Sequence, residues 1–233
     1  MTPRVCLMVA IHFMAFGSAR NVQADEKQEK ADWESLFAGE SGDLEKWMPD
    51  VRPARRAPRG AWLVKEAELT MEKNAGYLWT KEKYADFVLE LEFKLPPKAN
   101  SGVFFRTRPE DPVQGGFEIQ LLDDLGYAGR NLGKHANGAL YDCVAPSKQV
   151  SKPAGEWQSL RICARDRLIR VTLNGEAIVE ADLNRWTEAG KNPDGTKNKF
   201  KTAYTNMPRT GHIGLQDHGS PLYFRNIRVK RLN

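Results

Sequence analysis

The segment FVLELEFKL, residues 87–95, constrains the fold most strongly because its apolar and polar side chains alternate. Every second position from Phe87 to Leu95 is apolar, while the four positions between them carry Val88, two glutamates and a lysine. A period of two is typical of a β-strand with one buried face, because successive side chains point to opposite sides of a sheet. A second layer of structure has to cover that face, so the segment predicts a layered β fold.

Six further segments have strand character and are separated by Gly, Pro and Asn residues typical of turns: 101–108, 157–164, 167–173, 176–183, 211–218 and 222–232. Asn174-Gly175 joins two of them and predicts a tight hairpin turn. No window has a long, capped helical period, and only residues 182–190 predict a short helix. The pattern therefore predicts an all-β fold, either a sandwich or a jelly roll.

The first 24 residues have the layout of a secretory signal peptide. Arg4 gives a positive start, an apolar run covers residues 5–16, and VQA ends at Ala24 before a charged segment. The apolar run is shorter than the roughly 20 residues that a membrane helix needs. We therefore expect export to the periplasm or medium, a mature chain that begins near Asp25 without membrane insertion, and one domain over residues 25–233.

The charge balance argues against a nucleic-acid or membrane-surface partner. The chain has 35 Lys and Arg against 30 Asp and Glu, and removal of the leader takes away Arg4 and Arg20, which leaves a net charge of +3. The basic cluster at residues 52–59 is rich in proline and predicts an exposed loop. The polar segment 187–210 lacks a strand pattern, and a loop of this length is typically functional or disordered.

Cys143 and Cys163 remain after leader removal. An exported protein folds where disulfides persist, so the two residues could form a bridge or could stay as two buried thiols. Neither has a histidine at the spacing of a zinc site.

The segment GGFEIQLLDD, residues 115–124, aligns Glu118 and Gln120 on one face of a predicted strand. Asp123 would point to the opposite face unless a bulge adds a residue. If Phe117 and its apolar neighbours pack in the core, the Glu118 face lies either in solvent or in a binding groove. The alternation alone leaves both interpretations open.

Other polar or aromatic side chains that could contact a ligand lie on or beside predicted strands: Lys81, Asn100, Arg106, Tyr141, Gln216, Asp217 and His218. An arginine can hold hydroxyls or a carboxylate in its fork, or it can form a surface ion pair. A histidine can exchange protons near neutral pH, or it can cap a loop.

Five blocks of the sequence, taken together, resemble the 3-keto-disaccharide hydrolase family, whose members are also described as 3-keto-glucoside 1,2-lyase/3-keto-2-hydroxyglucal hydratase domains. The blocks are LWTKEKYADFVLELEFKLPPKANSGVFFR, GFEIQLLDD, GALYDCVAPS with the following PAGEWQSLRI, VTLNGEAIVEADL, and HIGLQDHGSPLYFRNIRVKRL. The resemblance covers residues 33–233. It implies a concanavalin A-like jelly roll of two antiparallel sheets that is exported and acts on a carbohydrate.

Laminarinase-type glucanases share that architecture and carry Glu-x-Asp-x-x-Glu, or the same motif one residue shorter, on a groove-facing strand. The corresponding run here is Glu118-Ile-Gln120-Leu-Leu-Asp123. The resemblance therefore implies that the polar row faces a sugar groove. Gln120 and Asp123 depart from the glucanase motif, and this departure disfavours ordinary retaining cleavage, which needs two carboxyl groups about 5–5.5 Å apart.

The chemistry that the family implies is proton abstraction beside a ketone, followed by elimination of the glycosidic oxygen, after which water addition can give the free keto sugar. Glu118 or His218 would be the base, and Asp123 or His218 the acid. The hydroxyls or the enolate would be oriented by three residues: Asn100, Arg106 and Gln120. Tyr141, Lys81, Gln216 and Asp217 complete the expected substrate contacts. The sequence specifies no cofactor, and a divalent metal could polarise the ketone. The alternatives are a conventional glycanase and a noncatalytic sugar-binding module.

Overall fold

Two antiparallel sheets form the fold, as the sequence predicts. The computed structural model describes residues 32–52, 60–72 and 74–232. Their strands are β1 (Trp33–Phe37), β2 (Trp47–Pro49), β3 (Trp62–Lys65), β4 (Glu68–Met71), β5 (Leu78–Thr80), β6 (Phe87–Lys94), β7 (Asn100–Thr107), β8 (Phe117–Leu122), β9 (Trp157–Arg165), β10 (Leu168–Leu173), β11 (Glu176–Asp182), β12 (His212–Leu215) and β13 (Leu222–Arg231). The predicted signal peptide and most of the basic cluster lie outside the described residues.

Sheet A has the strand order β11-β10-β9-β6-β13-β4-β3, and β1 pairs with the second half of β13. Sheet B has the order β2-β5-β12-β7-β8. Neighbours in these orders are often distant in sequence, as expected for a jelly roll rather than a simple meander. The chain therefore folds as an all-β, concanavalin A-like jelly-roll sandwich.

The core lies between the sheets and is built by the alternation seen in the sequence. The apolar residues of β6 from Phe87 to Phe93 meet those of β8 from Phe117 to Leu121 in one buried cluster. Burial of each such side chain contributes roughly 1.5–3 kcal/mol. Because Phe117, Ile119 and Leu121 point inward, the side chains between them point away from sheet A.

The segment predicted as a short helix is a 3₁₀ turn at Leu183–Arg185, and further 3₁₀ turns lie at Ser41–Lys46, Asp124–Tyr127, Gly133–His135 and Tyr204–Asn206. Within the described ranges, no helix is long and apolar enough to cross a membrane.

The long segment 187–210 is ordered, although it contains no strand. Phe200 and Tyr204 are buried in the core, and Trp186 Nε1 donates a 2.8 Å hydrogen bond to Asn192 Oδ1. The buried rings and the hydrogen bond between Trp186 and Asn192 fix the path of the segment.

Cys143 and Cys163 are both free thiols. Cys143 is buried in the core cluster, whereas Cys163 lies on β9 between the core residues Ile162 and Ala164 and therefore points to the outer side of sheet A. Of the two possibilities that the sequence left open, the disulfide is wrong, because the two side chains lie on different sides of a sheet.

Candidate active site on the outer face of sheet B

The outer face of sheet B, turned away from sheet A, carries two rows of side chains that cross its strands. In the first row Glu118 is paired with Phe104, Phe104 with Gly214, and Gly214 with Trp79. In the second row Gln120 is paired with Gly102, whose carbonyl accepts a hydrogen bond from the backbone N–H of Gln216. The polar face of β8 thus continues across β7 to β12.

Glu118 reaches across β7 to contact β12. Its Oε1 atom accepts a 2.9 Å hydrogen bond from Gln216 Nε2, and the residue is only 5% exposed. A Cβ atom at Gly102 would lie 2.4 Å from Glu118 Oε1. Gly102 is therefore required at this point of β7, because any larger residue would occupy the space that the carboxylate crosses.

Burial raises the pKa of Glu118 to about 7. The positive charge of Lys199 and the hydrogen bond from Gln216 act in the opposite direction without cancelling the effect. In the described part of the chain, Glu118 forms no ion pair. A buried carboxylate that titrates near neutral pH is typical of a catalytic acid or base.

Replacement of Glu118 by glutamine is expected to stabilise the protein increasingly as the pH rises from about 4.5 to 7. The folded-state pKa lies above the value of 4.5 for an unperturbed glutamate, so the unfolded state loses its proton first and stability falls across this window. The pKa difference corresponds to roughly 3 kcal/mol in favour of the variant above pH 7. Urea unfolding at pH 4.5 and 8 measures this difference. The exposed Glu110→Gln is the control, and an equal effect of Glu118→Gln at both pH values would contradict the burial assigned to Glu118.

Two tyrosines flank Glu118. Tyr77 stacks on Phe104 with ring centroids 5.5 Å apart, and the guanidinium of Arg52 lies 3.9 Å from the Tyr77 ring centroid. On the other side, the ammonium of Lys199 lies 3.9 Å from the ring centroid of Tyr141. Phe104 is the strand partner of Glu118, and the Tyr141 backbone N–H donates a 3.0 Å hydrogen bond to the Glu118 carbonyl. Burial raises the pKa of both tyrosines, and the Glu118 charge adds to the rise.

Gln120 and Asn100 form a polar pair beside Glu118. Gln120 Nε2 donates a 3.1 Å hydrogen bond to Asn100 Oδ1, and Gln120 is 4% exposed. Of the sequence-predicted residues, the outer face of sheet B thus brings together Glu118, Gln120, Gln216, Asn100 and Tyr141.

Arg106 is not part of this group. It is fully buried, and its guanidinium donates to the Ala85 and Asp166 carbonyls at 2.7 and 2.6 Å and to Asp86 Oδ1 at 2.8 Å. Its backbone φ of 47° breaks the alternation of β7, so the side chain turns towards the loop before β6 instead of the Glu118 face. The predicted sugar contact is replaced by an ion pair that ties sheet B to the loops of sheet A.

Arg106→Met is expected to lower the free energy of unfolding by about 3–5 kcal/mol, because it removes the cation paired with Asp86 and the side-chain donor of two carbonyls. Arg108→Met is the matched control, since Arg108 is exposed and, among the described residues, its one ion pair is with nearby Asp111; we expect a change within about 0.5 kcal/mol. Urea unfolding measures both. A fully stable Arg106→Met protein would contradict the structural role.

The remaining predicted residues lie at loops. Asp123 Oδ2 accepts a 2.7 Å hydrogen bond from the backbone N–H of Lys98, and Asp217 accepts from Gly76 and Gly219 at 2.9 and 2.7 Å. These carboxylates cap turns and do not bond to Glu118. β8 ends at Leu122, without a bulge that would turn Asp123 to the Glu118 face.

His218 and Lys81 are both exposed. Among the described residues, the side chain of neither forms a hydrogen bond or an ion pair with the Glu118 group. The structure therefore does not bring these two predicted residues to the site.

Sequence reasoning missed four contributors: Arg52, Tyr77, Gly102 and Lys199. Tyr77 lies two residues before Trp79, so an extended chain puts both rings on the same face. A glycine inside a strand pattern, as at Gly102, indicates that another group approaches the backbone closely. Tyr77 and Gly102 could therefore have been found from the sequence. Arg52 and Lys199 belong to loops without any periodic pattern, and only the folded chain brings them near the tyrosines.

A cavity of about 630 Å³ lies on the outer face of the other sheet, lined by residues of β1, β6, β9, β10 and β13. Its acidic groups are already paired, Glu90 with Arg161 and Arg228, and Glu92 with Arg225. We assign the candidate site to sheet B because the buried Glu118 carboxylate lies there and forms no ion pair with any described residue. Nowhere in the described ranges do three His, Cys, Asp or Glu side chains form a group that could hold a metal ion.

Known proteins resemble the chain over most of its length. A family model described as "3-keto-alpha-glucoside-1,2-lyase-like domain" matches residues 32–230. The chain is 30% identical over 183 residues to a 3-keto-disaccharide hydrolase of Bacteroides thetaiotaomicron, and the match covers 69% of this chain and 63% of that relative. The chain therefore spans less than two thirds of the length of the curated relative.

Solved structures agree with this fold. The chain superposes on a candidate glycosyl hydrolase from Parabacteroides distasonis with a TM-score of 0.74 and 31% identity, covering 86% of this chain and 99% of that one. A non-specific endo-β-1,3(4)-glucanase of glycoside hydrolase family 16 matches with a TM-score of 0.50 and 11% identity, covering 87% of this chain and 92% of that one. The second likeness concerns the fold alone.

Proposed function

The chain belongs to the family of 3-keto-alpha-glucoside-1,2-lyase-like domains, and from this premise we propose that it is a carbohydrate-active enzyme that cleaves 3-keto-glycosides by proton abstraction and elimination. The curated relative is named a 3-keto-disaccharide hydrolase, which supports a substrate of the same class. The proposal assigns the role of base to Glu118.

The observation that carries the proposal is a buried, ionisable carboxylate without a cationic partner among the described residues. A base works best when its pKa lies near the working pH, and burial raises the pKa of Glu118 to about 7. Gln216 orients the carboxylate through a 2.9 Å hydrogen bond. The residue thus has the protonation behaviour and the fixed direction that proton abstraction needs.

The proposed reaction uses the ketone at carbon 3 of the sugar. That ketone acidifies the hydrogen on carbon 2, Glu118 takes this proton, and the electron pair then expels the glycosidic oxygen from carbon 1. A tyrosine hydroxyl, with an ordinary pKa of about 10, carries its proton at neutral pH, and burial raises the pKa of Tyr141 further. Tyr141 is our candidate to protonate the leaving oxygen. Addition of water to the resulting double bond would release the free keto sugar.

Two groups suit the sugar hydroxyls. Among the described residues, the buried Gln216 Oε1 has no hydrogen-bond partner, although Gln216 Nε2 is engaged by Glu118. An unsatisfied buried acceptor is costly, and a substrate hydroxyl would satisfy it. The Gln120–Asn100 pair offers a second polar contact on the same face.

A conventional glycanase is less consistent with the site. Retaining hydrolysis needs a second carboxyl group about 5–5.5 Å from the first. Among the described residues, no other carboxylate contributes to the raised pKa of Glu118, and Asp123 is engaged by the backbone N–H of Lys98.

A noncatalytic sugar-binding module would be expected to present an exposed aromatic platform. Trp79 and Phe104 are instead fully buried. The site therefore favours an enzyme over a module that only binds.

The direct test is turnover of a 3-keto-glucoside by the purified protein, with the matching unoxidised glucoside as the control. We expect cleavage of the first alone, since only the ketone makes the hydrogen on carbon 2 acidic. Equal cleavage of the two would contradict the proposal.

We also propose export. Arg4, the apolar run at residues 5–16 and the VQA sequence before Asp25 support this proposal. Intact Met1 on the protein recovered outside the cytoplasm of its native host would contradict cleavage of a signal peptide.

A further inference from the structure

The backbone at Lys199 is pinned beside the site by side chains of two other segments. The backbone N–H of Lys199 donates a 2.8 Å hydrogen bond to Asp142 Oδ2, next to Tyr141 in sequence. Gln114 Nε2 donates to the Lys199 carbonyl at 3.1 Å, and Gln114 Oε1 accepts from the backbone N–H of Lys201 at 2.8 Å. The segment 187–210 therefore presents Lys199 at a fixed place.

The ammonium of Lys199 is held without a hydrogen bond. It lies 3.9 Å from the ring centroid of Tyr141 and 5.9 Å from that of Phe200. Within the described ranges its Nζ atom donates no hydrogen bond and forms no ion pair, whereas Lys191 in the same segment pairs with Glu188. The contacts with the two rings hold the ammonium group in place, and its three N–H groups stay available to donate hydrogen bonds to a ligand.

Lys199 and Glu118 influence each other without touching. Tyr141 links the two residues, because its ring lies against the Lys199 ammonium and its backbone N–H donates a 3.0 Å hydrogen bond to the Glu118 carbonyl. Burial lowers the pKa of Lys199 and the Glu118 charge opposes this shift, while the Lys199 charge opposes the burial that raises the pKa of Glu118. The two groups nevertheless form no ion pair, so their nitrogen and oxygen atoms are more than 4 Å apart. A base and a cation that act on each other across a gap could hold a reacting group between them.

We propose that Lys199 donates a hydrogen bond to the negatively charged oxygen that forms on carbon 3 of the sugar when Glu118 removes the hydrogen from carbon 2. The inference rests on the proposed function and adds a catalytic residue to it. In this step the C2–H bond breaks and its proton goes to Glu118. The bonding pair forms a C2–C3 double bond, and the carbonyl π electrons move to oxygen, opposite the ammonium.

In the second step the negative charge on the carbon 3 oxygen is used to expel the glycosidic oxygen. The oxygen restores the carbon–oxygen double bond at carbon 3, a double bond forms between carbons 1 and 2, and the C1–O bond breaks with its electron pair on the glycosidic oxygen, which takes a proton. The ammonium therefore contacts the substrate most strongly in the charged intermediate. A donor of this kind raises kcat more than it improves substrate binding.

The test compares Lys199→Met, Lys199→Arg and the control Lys201→Met, which changes another exposed lysine of the same segment. On a 3-keto-glucoside we expect Lys199→Met to lower kcat by about 10²–10³-fold with a smaller change in KM. Lys199→Arg should recover part of the loss, and Lys201→Met should resemble the wild type. Thermal unfolding of each variant checks that the fold is intact.

The pH profile provides a second readout that a purely structural role would not move. The titratable groups whose charge interacts with that of Glu118 are Lys199, Tyr77, Tyr141 and the buried Tyr204. The Arg52 guanidinium lies against the Tyr77 ring, and Asp142 follows Tyr141 in sequence. Of these, Lys199 lowers the pKa of Glu118. The acidic limb of the kcat/KM profile should therefore move to higher pH in Lys199→Met and stay in place in Lys201→Met.

A folded Lys199→Met protein with wild-type kcat, or with a raised KM alone, would overturn the role of Lys199 and leave the proposed function intact. A wild-type protein that does not cleave the 3-keto-glucoside would overturn the proposed function and this inference together.

Discussion

Exchange of Glu118 for glutamine is expected to lower kcat on a 3-keto-glucoside by about 10²–10⁴-fold, the range typical for loss of a general base. Glutamine keeps the shape of the side chain and can still accept the hydrogen bond from Gln216, but it cannot take a proton. Steady-state kinetics at pH 8 measures the effect, because the wild-type carboxylate, with a pKa of about 7, is then mostly ionised.

Two variants make this result interpretable. Glu110→Gln removes an exposed carboxylate and should retain wild-type kcat. Gly102→Ala keeps Glu118 but puts a methyl group where its carboxylate lies, 2.4 Å from Oε1, so it should lower kcat through misplacement of the base. Wild-type kcat in Glu118→Gln would contradict the assignment of the base to Glu118.

The strands that build the core were predictable because they are amphipathic over several residues. In β6 and β8 the apolar positions alternate without interruption, and the outward direction of Glu118 follows from the inward direction of Phe117 and Ile119. Local pattern and tertiary packing agree at these positions, so the sequence is sufficient there.

Arg106 could not be placed correctly because its backbone leaves the strand pattern. Simple alternation from Phe104 would put Arg106 on the Glu118 face, but its φ of 47° turns the side chain towards Asp86. A left-handed conformation at an arginine carries no clear sequence signal.

The capping carboxylates and Lys199 were unpredictable for a different reason. A sequence shows that Asp123 and Asp217 are acidic, but not that backbone N–H groups of Lys98, Gly76 and Gly219 already engage them. Lys199 approaches Tyr141 through contacts between segments far apart in the chain, and no periodicity encodes such contacts.

The dependence on a ketone is the second large effect that we expect. A 3-keto-glucoside should be cleaved at a measurable rate, whereas the matching unoxidised glucoside and plain β-glucans should remain intact under the same conditions. The hydrogen on carbon 2 is acidic only beside the carbonyl, whereas nucleophilic cleavage needs a second carboxyl group beside Glu118. The predicted candidates Asp123 and Asp217 are engaged by backbone N–H groups instead. Product analysis by chromatography measures both reactions, and cleavage of a glucan at a comparable rate would favour a conventional glycanase.

Cleavage of a 3-keto-glucoside in heavy water tests the elimination most directly, with magnetic resonance or mass spectrometry reporting on carbon 2 of the released sugar. The substrate should lose its original hydrogen there, so that a hydrated product carries deuterium at carbon 2 and an unhydrated product carries no hydrogen at that carbon. Free keto sugar incubated for the same time with the Glu118→Gln protein corrects for spontaneous exchange. Released keto sugar that keeps the original hydrogen at carbon 2 in full would contradict proton abstraction by Glu118.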